Sequence, residues 1–342
     1  MLQSPKPSLY GLTLDELGDL CAKHSLPRFA AGQIARWLYT QRVRDIDQMT
    51  NLSKSARAIL SENYELGLTP PLKESCSADG TKKYLFRTSE GEYIESAYIP
   101  DGDRATLCVS SQAGCKMGCK FCATGRMGFR HNLPATEIIN QILSIPERDK
   151  LTNLVFMGMG EPLDNIDNLM RTLDILTSEW GMAWSPTRIT VSTAGVAKTL
   201  PRLLDESKVH IAVSLHNPFP EERKEIMPIE NAYSIKEVCD ILRRYDFTHQ
   251  RRVSFEYIVL EGMNCSFRHI KELSRLLDGI KCRINLIRFH KIPDSPFFSP
   301  ELDKIIEFRD TLTKRGIQTT LRASRGEDIE AACGLLSTAE NK

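Results

Sequence analysis

The sequence predicts an α/β fold: a parallel sheet curled into a partial (β/α)6 barrel, with an N-terminal helical region and a small β-hairpin region ahead of it. Three observations predict it. From about residue 105 onward, six apolar runs of strand length take turns with amphipathic helical runs. Between 80 and 100 two alternating runs flank Ser89-Glu90-Gly91, a hairpin pattern. Over the first 70 residues the apolar side chains recur at helical spacing.

The helical start has three candidates. LTLDELGDLCAKHS opens with an N-terminal Thr-Leu-Asp-Glu signal, FAAGQIARWLYTQRV continues the spacing, and TNLSKSARAILSENYEL offers Asn51 or Ser53 as N-cap. Thr69-Pro70-Pro71 ends the region. The hairpin follows as KKYLFRT and EYIESAYIP. The barrel strands are then read at 106–112, 151–160, 188–195, 209–216, 252–262 and 282–290. A last helix (PELDKIIEFRDTLTKRG), a short strand (IQTTLRA) and a loop with Cys333 close the chain. The domain organisation expected is therefore 1–72 helical, 73–104 hairpin, 105–300 barrel and 301–342 C-terminal extension.

Composition narrows the function classes. With 342 residues, 41% hydrophobic and 26% charged, the chain holds one large core and a smaller one. The formal net charge of +1 excludes an overall basic protein. Local basic clusters (Arg36, Arg42 and Arg44; Lys82-Lys83; Arg243-Arg244 with Arg251-Arg252) read as solvated faces that still permit a nucleic-acid partner. No run of about 18 apolar residues exists, so no membrane span is expected. The first residues lack the pattern of a signal peptide, so a reducing cytoplasm is expected; a monomer is expected as well. Ten cysteines in such a compartment ask for metal or redox chemistry.

Three of them form Cys115-Lys-Met-Gly-Cys119-Lys-Phe-Cys122, just after the first barrel strand. Three thiolates on one loop can hold three irons of a [4Fe–4S] cubane and leave the fourth iron open. An electron carrier normally supplies four cysteines, and a structural zinc site four closed ligands. The zinc alternative needs a distant fourth ligand and a spacing unusual for zinc. Met157-Gly158-Met159-Gly160-Glu161-Pro162 ends the second strand; alone, its glycines are accounted for by a tight βα turn. Ser192 and Ser214-Leu215-His216 also fall at strand C-terminal ends, the face where parallel α/β folds gather their ligand sites.

The C-x₃-C-x₂-C loop, with Phe121 before its last cysteine, resembles the radical S-adenosylmethionine (SAM) superfamily. CVSSQAGCKMGCKFCATG (108–125), FMGMGEPLDN (156–165), ITVSTAG (189–195), VSLHNPFPEERKEIMPI (213–229), NLIRF (285–289) and RGEDIEAACG (325–334) resemble successive motifs of the RlmN/Cfr family of radical SAM RNA methyltransferases. With the helical start, the resemblance covers nearly the whole chain. It implies a [4Fe–4S] cluster on Cys115, Cys119 and Cys122, and SAM, two per turnover, held by Gly160, Glu161, Ser192, Ser214, Leu215 and His216. It implies 23S rRNA as substrate, with tRNA as a second one, and an electron donor such as flavodoxin or ferredoxin.

It also implies roles for three residues whose bland readings are packing or exposure. Cys333 corresponds to the methyl-carrying cysteine, Cys108 to the resolving cysteine that forms a transient disulfide with it, and Glu95 to the proton-abstracting carboxylate. C2 of adenine lies between two ring nitrogens and is no nucleophile, so a radical route suits it. Gly160-Glu161-Pro162-Leu163 favours C2 over the C8 chemistry of Cfr, which tends to carry Ala in place of that Pro. C8 methylation, and a non-methylating iron–sulfur RNA-binding protein that has no use for Cys108 or Cys333, remain the alternatives. One departure stands out: His290 occupies the place where RlmN enzymes usually carry an Asn on SAM, which puts that contact in doubt. Cys21, Cys76, Cys239, Cys265 and Cys282 lack cluster spacing and read as structural.

Overall fold

Local rules account for the helical region. In the computed structural model, which describes residues 6–248 and 251–337, the Thr13 hydroxyl accepts from the Glu16 N–H while the Glu16 carboxylate accepts from the Thr13 N–H at 2.8 Å. This capping box starts the helix Leu14–Lys23. Ala30–Ala35 runs directly into a π-helical turn, Arg36–Thr40. Ser53, of the two candidates, caps Lys54–Asn63 by accepting from the Ala56 N–H at 3.1 Å.

These helices form one compact unit, residues 1–71, together with 133–149 and 167–185. The unit therefore also contains the helix Ala135–Leu143 and most of the helix Ile166–Thr177. Tyr39 is fully buried, edge-on to Tyr10 and Trp180, so it belongs to the core. The Trp37 indole N–H donates to Asn51, and Arg42 is ion-paired with Asp149 at 2.6 Å. Arg36 stays exposed.

The second unit comprises 72–132, 150–166 and 186–342. Its strands are β1 (Lys73–Cys76), β2 (Lys82–Arg87), β3 (Tyr93–Asp101), β4 (Arg104–Cys108), β5 (Gln112–Gly114), β6 (Phe129–Asn132), β7 (Asn153–Phe156), β8 (Ile189–Thr193), β9 (His210–Ser214), β10 (Val253–Val259), β11 (Cys282–Arg288) and β12 (Gln318–Leu321). Among the described residues ten of them make one sheet in the order β1-β2-β3-β4-β7-β8-β9-β10-β11-β12. The run from β4 to β12 is parallel throughout, and the hairpin joins it antiparallel through β3 and β4. Edge strands β1 and β12 are not paired to each other, so the barrel is partial and open.

Three features differ from the sequence reading. The hairpin is part of the main sheet, because nine-residue β3 is long enough to pair with β2 on one side and β4 on the other. The parallel run has seven strands, since β12 pairs with β11. The stretch 106–112 is not one strand. β4 stops at Cys108, and β5 pairs separately with β6. That pairing clasps the two ends of the cysteine loop, and the Cys115 N–H donates to the Gly128 carbonyl at 3.0 Å.

Candidate active site

Parallel strands deliver their C-terminal ends to one place, and the residues there surround two cavities. The smaller, about 150 Å³, is bounded by Cys115, Cys119 and Cys122. Gly160 and Glu161 after β7, Ser192 on β8, Ser214 on β9 and His216 just beyond it complete its wall, together with Cys333. The larger, about 600 Å³, fills the barrel lumen. It is bordered by Cys108 and again by Cys333.

The thiols of the cysteine loop are half-buried or buried. Burial pushes Cys115 up to about 12, helped by the nearby Glu161 and Cys122, and raises Cys119 and Cys122 in the same direction. Three crowded thiols whose burial disfavours the bare thiolate suit a positively charged iron core, which binds thiolates. Among the described residues no three His, Cys, Asp or Glu side chains converge as ligands for a single metal ion. All three thiols line the small cavity, and as thiolates they would hold an iron–sulfur cluster there. Phe121 packs edge-on against His216, with ring centroids 4.7 Å apart, and covers this group.

Glu161 is 3% exposed. One carboxylate oxygen accepts from the Ala194 N–H at 2.6 Å and the other from the Leu163 N–H at 3.1 Å. Burial nevertheless raises its pKa to about 7, with Asp164 adding to it against the pull of these hydrogen bonds. A buried carboxylate on a cavity wall with its oxygens already oriented fits an ammonium group. Gly160 has φ +100°, and a Cβ there would lie 2.5 Å from Gln112, so only glycine allows this turn. His216, at φ +57°, accepts from the Ile258 N–H at Nδ1 (2.9 Å), and burial lowers its pKa to about 3. It is a neutral imidazole whose Nε2 carries the proton.

The C-terminal segment is stitched to the cysteine loop. The Ala123 N–H donates to the Gly334 carbonyl at 2.8 Å, and Thr124 Oγ1 donates to the Leu336 carbonyl at 2.6 Å. Ala331 packs with Cys108, Val155 and Ala97. Cys108 and Cys333 therefore share one wall of the lumen. Burial pushes Cys108 up to about 12, the nearby Cys333 adding to it and Arg322 opposing it.

Glu95 lies beneath the same segment and borders neither cavity. It is 5% exposed, 3.1 Å from Lys83 Nζ, and accepts from the Ser337 N–H at 2.9 Å. Burial raises its pKa against the pull of Lys83. Leu215 is buried and does not border the small cavity; its N–H donates to the Glu256 carbonyl at 3.0 Å and its carbonyl accepts from Arg223 at 2.9 Å. His290 borders only the lumen, where Nδ1 faces Glu327 and Nε2 lies 3.0 Å from Ser324 Oγ. Both ring nitrogens thus hold the C-terminal segment.

Sequence reasoning missed the polar network of the lumen. Arg322 borders both cavities, 3.4 Å from Met157 Sδ and 3.4 Å from Glu256. Glu256 also accepts from Asn285 at 2.8 Å and Ser254 at 3.1 Å. Polar residues alternating inward on β10 and β11 were the available signal. Arg223 was missed as well. It is fully buried, donates to the carbonyls of Ala194, Ser214 and Leu215 at 2.8–2.9 Å, and pairs with Glu230. Arg223→Met leaves Glu230 buried without its partner, and the expected loss is about 3–5 kcal/mol, read from the denaturant midpoint.

Known proteins carry this arrangement. Residues 109–275 match the radical SAM superfamily, and residues 8–66 match the ribosomal RNA large subunit methyltransferase N-terminal domain. A probable dual-specificity RNA methyltransferase RlmN of Phocaeicola vulgatus is 56% identical, covering 100% of this chain and 98% of its own length. The dual-specificity RNA methyltransferase RlmN of Desulfotalea psychrophila is 41% identical over 98% of this chain and 96% of its own. The crystal structure of a radical SAM methyltransferase from Sphaerobacter thermophilus superposes with a TM-score of 0.90 at 44% identity, covering 96% of this chain and 99% of that one. On these full-length similarities, the chain belongs to the RlmN family of radical SAM RNA methyltransferases.

Proposed function

We propose that this enzyme methylates C2 of an adenosine in the peptidyl transferase centre of 23S rRNA, and C2 of the adenosine beside the tRNA anticodon, through a methylated Cys333 and a transient Cys333–Cys108 disulfide. The observation that carries the reading is the double placement of Cys333. It borders the cavity of the cluster cysteines and, on its other side, the lumen that Cys108 borders.

Cys115, Cys119 and Cys122 would hold the cluster, and Glu161 would accept the ammonium of SAM, with Gly160, Ser192, Ser214 and the Nε2–H of His216 orienting the rest. When bound, the cluster supplies the electron, drawn from a flavodoxin- or ferredoxin-type donor, that splits SAM into methionine and a 5′-deoxyadenosyl radical. Cys333 first takes the methyl group of one SAM as a thioether and releases its thiol proton. Its methyl group then gives one hydrogen atom to the radical from a second SAM, and the carbon so exposed bonds to C2. Glu95, covered in this structure by the segment that carries Ser337, takes the C2 proton once that segment lifts from its carboxylate. The adduct would return one electron to the iron–sulfur centre; Cys108, as a thiolate, attacks the Cys333 sulfur, the electron pair of the carbon–sulfur bond passes to the released carbon, which takes up a proton to become the methyl group, and the disulfide closes. Cellular thiols, in a reducing cytoplasm, restore the pair.

Glu95 must be ionised to take a proton, and burial raises its pKa. Single-turnover methylation should therefore fall on the acid side at a higher pH than an ordinary glutamate gives. Lys83→Met, by removing the opposing cation, should move that limb higher still. Glu95→Gln should slow product release about 10²–10⁴-fold.

The test of the function is to incubate anaerobic holoenzyme with a 23S rRNA fragment and with tRNA transcripts, digest to nucleosides, and compare masses and retention with 2-methyl- and 8-methyladenosine. 2-Methyladenosine in both RNAs supports the whole proposal, and in one alone limits it to that substrate. 8-Methyladenosine, or an unmodified digest, overturns it.

A further inference from the structure

The lumen runs past the cysteines to the N-terminal ends of the strands, where a second group of side chains faces it. Arg104 begins β4, His210 begins β9, Arg252 precedes β10 and Arg283 is the second residue of β11; all four border the same cavity. Strand register brings them together. β9 and β10 pair Ile211 with Val253, so Arg252 stands beside His210, and β10 and β11 pair Ser254 with Arg283. The Arg252 N–H donates to His210 Nδ1 at 3.0 Å, which leaves the Nε2–H of His210 as a donor.

Charge in the lumen is unbalanced. Six arginines border it, against the carboxylates of Asp101 and Glu256. Asp101 is taken by Arg325 at 2.9 Å, and Glu256 by Arg322, Asn285 and Ser254. Among the described residues Arg104, Arg252 and Arg283 have no ion-pair partner; Arg104 donates only to Thr106 on its own strand, at 3.2 Å. Arg251, behind the floor and 9% exposed, has Nε and Nη2 without a hydrogen-bond partner. The mutual repulsion shows in His210, lowered to about 4 by burial and then by Arg252, Arg283 and Arg251. Arginines crowded at the N-terminal end of the lumen, with Arg104 and Arg252 exposed and none of the three paired with a carboxylate, match the chemistry of a phosphate group.

We propose that this floor is a phosphate site: Arg104, Arg252 and Arg283, with the Nε2–H of His210, receive a phosphate group entering the barrel from the end opposite the cysteines. The phosphate comes either from a free nucleotide or from an RNA backbone. The site is separate from the methylation machinery, and the claim stands without the chemistry proposed above.

The test is titration calorimetry of the holoenzyme with inorganic pyrophosphate, at constant ionic strength and with SAM saturating, so that the cofactor cavity is filled. Saturable binding of one pyrophosphate is expected. The double variant Arg252→Gln with Arg283→Gln should weaken it by about tenfold or more while the cluster absorbance is unchanged. The double lysine variant, which keeps both charges, should retain most of the affinity and controls for folding. Absence of saturable binding, or equal binding by the glutamine variant, overturns the site. Displacement of pyrophosphate by a tRNA transcript assigns the phosphate to RNA, and simultaneous binding of both assigns it to a free nucleotide; either outcome upholds the site.

Discussion

Replacing Cys333 by Ala is expected to abolish RNA methylation, a loss on the order of 10³-fold or more, because among the described residues Cys333 is the one thiol outside the cysteine loop that borders both cavities. Cluster absorbance should survive, since Cys115, Cys119 and Cys122 are untouched. The wall also predicts what Cys108→Ala does. The methyl carrier and the cofactor cavity stay in place, so methylation of Cys333 and attack on the base proceed, but nothing displaces the adduct. RNA should remain covalently attached to the protein, visible as a band shifted on a denaturing gel and released only by digestion. A Cys108→Ala enzyme that turns over normally would refute the disulfide route and leave Cys108 as the core residue that its packing against Ala331 and Val155 also permits.

The second large effect belongs to Glu161. Its two oxygens each accept a backbone N–H, from Ala194 and Leu163. A glutamine can accept at one of them only, and its amide NH₂ would face a donor at the other. Glu161→Gln therefore removes the charge that meets an ammonium and also leaves a buried donor opposed to a donor. Truncating one side of a buried, hydrogen-bonded charge pair costs about 2–5 kcal/mol, so SAM affinity should fall by roughly 30-fold to several thousand-fold. Equilibrium dialysis of the cluster-loaded protein against labelled SAM reads this directly. A small change would mean that the carboxylate serves the β7–β8 turns and not the cofactor.

What the sequence made legible and what it hid follow from the range of the interactions. The cysteine loop is contiguous, so its three thiols, Phe121 and their chemistry could be read as a string. Gly160, Glu161, Ser192, Ser214 and His216 were readable because parallel strands must present their C-terminal ends on one side. Boundaries failed where local preference is weak. β1 (Lys-Glu-Ser-Cys) is mostly exposed and carries no strand pattern, and the β5–β6 clasp exists only because residues 112–114 and 129–132 meet across the loop.

Lumen chemistry lay further out of reach. Arg322, Glu256 and Asn285 come from three strands or their ends, and only the register of β10, β11 and β12 brings them together. The ties of His290 to Glu327 and Ser324 likewise depend on the path of the C-terminal segment. That Cys333 faces Cys108 was available only through resemblance, since 225 residues separate them in the chain. The helices Ala135–Leu143 and Ile166–Thr177 read as barrel crossovers by position, yet by contact they group, wholly or for the most part, with the N-terminal helices. No local pattern distinguishes those two roles. Among the described residues no helix is long and apolar enough to cross a membrane, in line with the absence of an apolar run in the sequence.

Whether Cys333 carries the methyl group is tested by one peptide. Trypsin releases Gly326 to Lys342 with Cys333 as its sole cysteine. Protein made anaerobically with iron and sulfur supplied should give this peptide with one added CH₂ on Cys333. A variant lacking Cys115, Cys119 and Cys122 should give it unmodified. An unmodified peptide from protein carrying a full cluster would contradict the methyl-carrier account and leave this RlmN-family chain without the step on which the proposed chemistry depends.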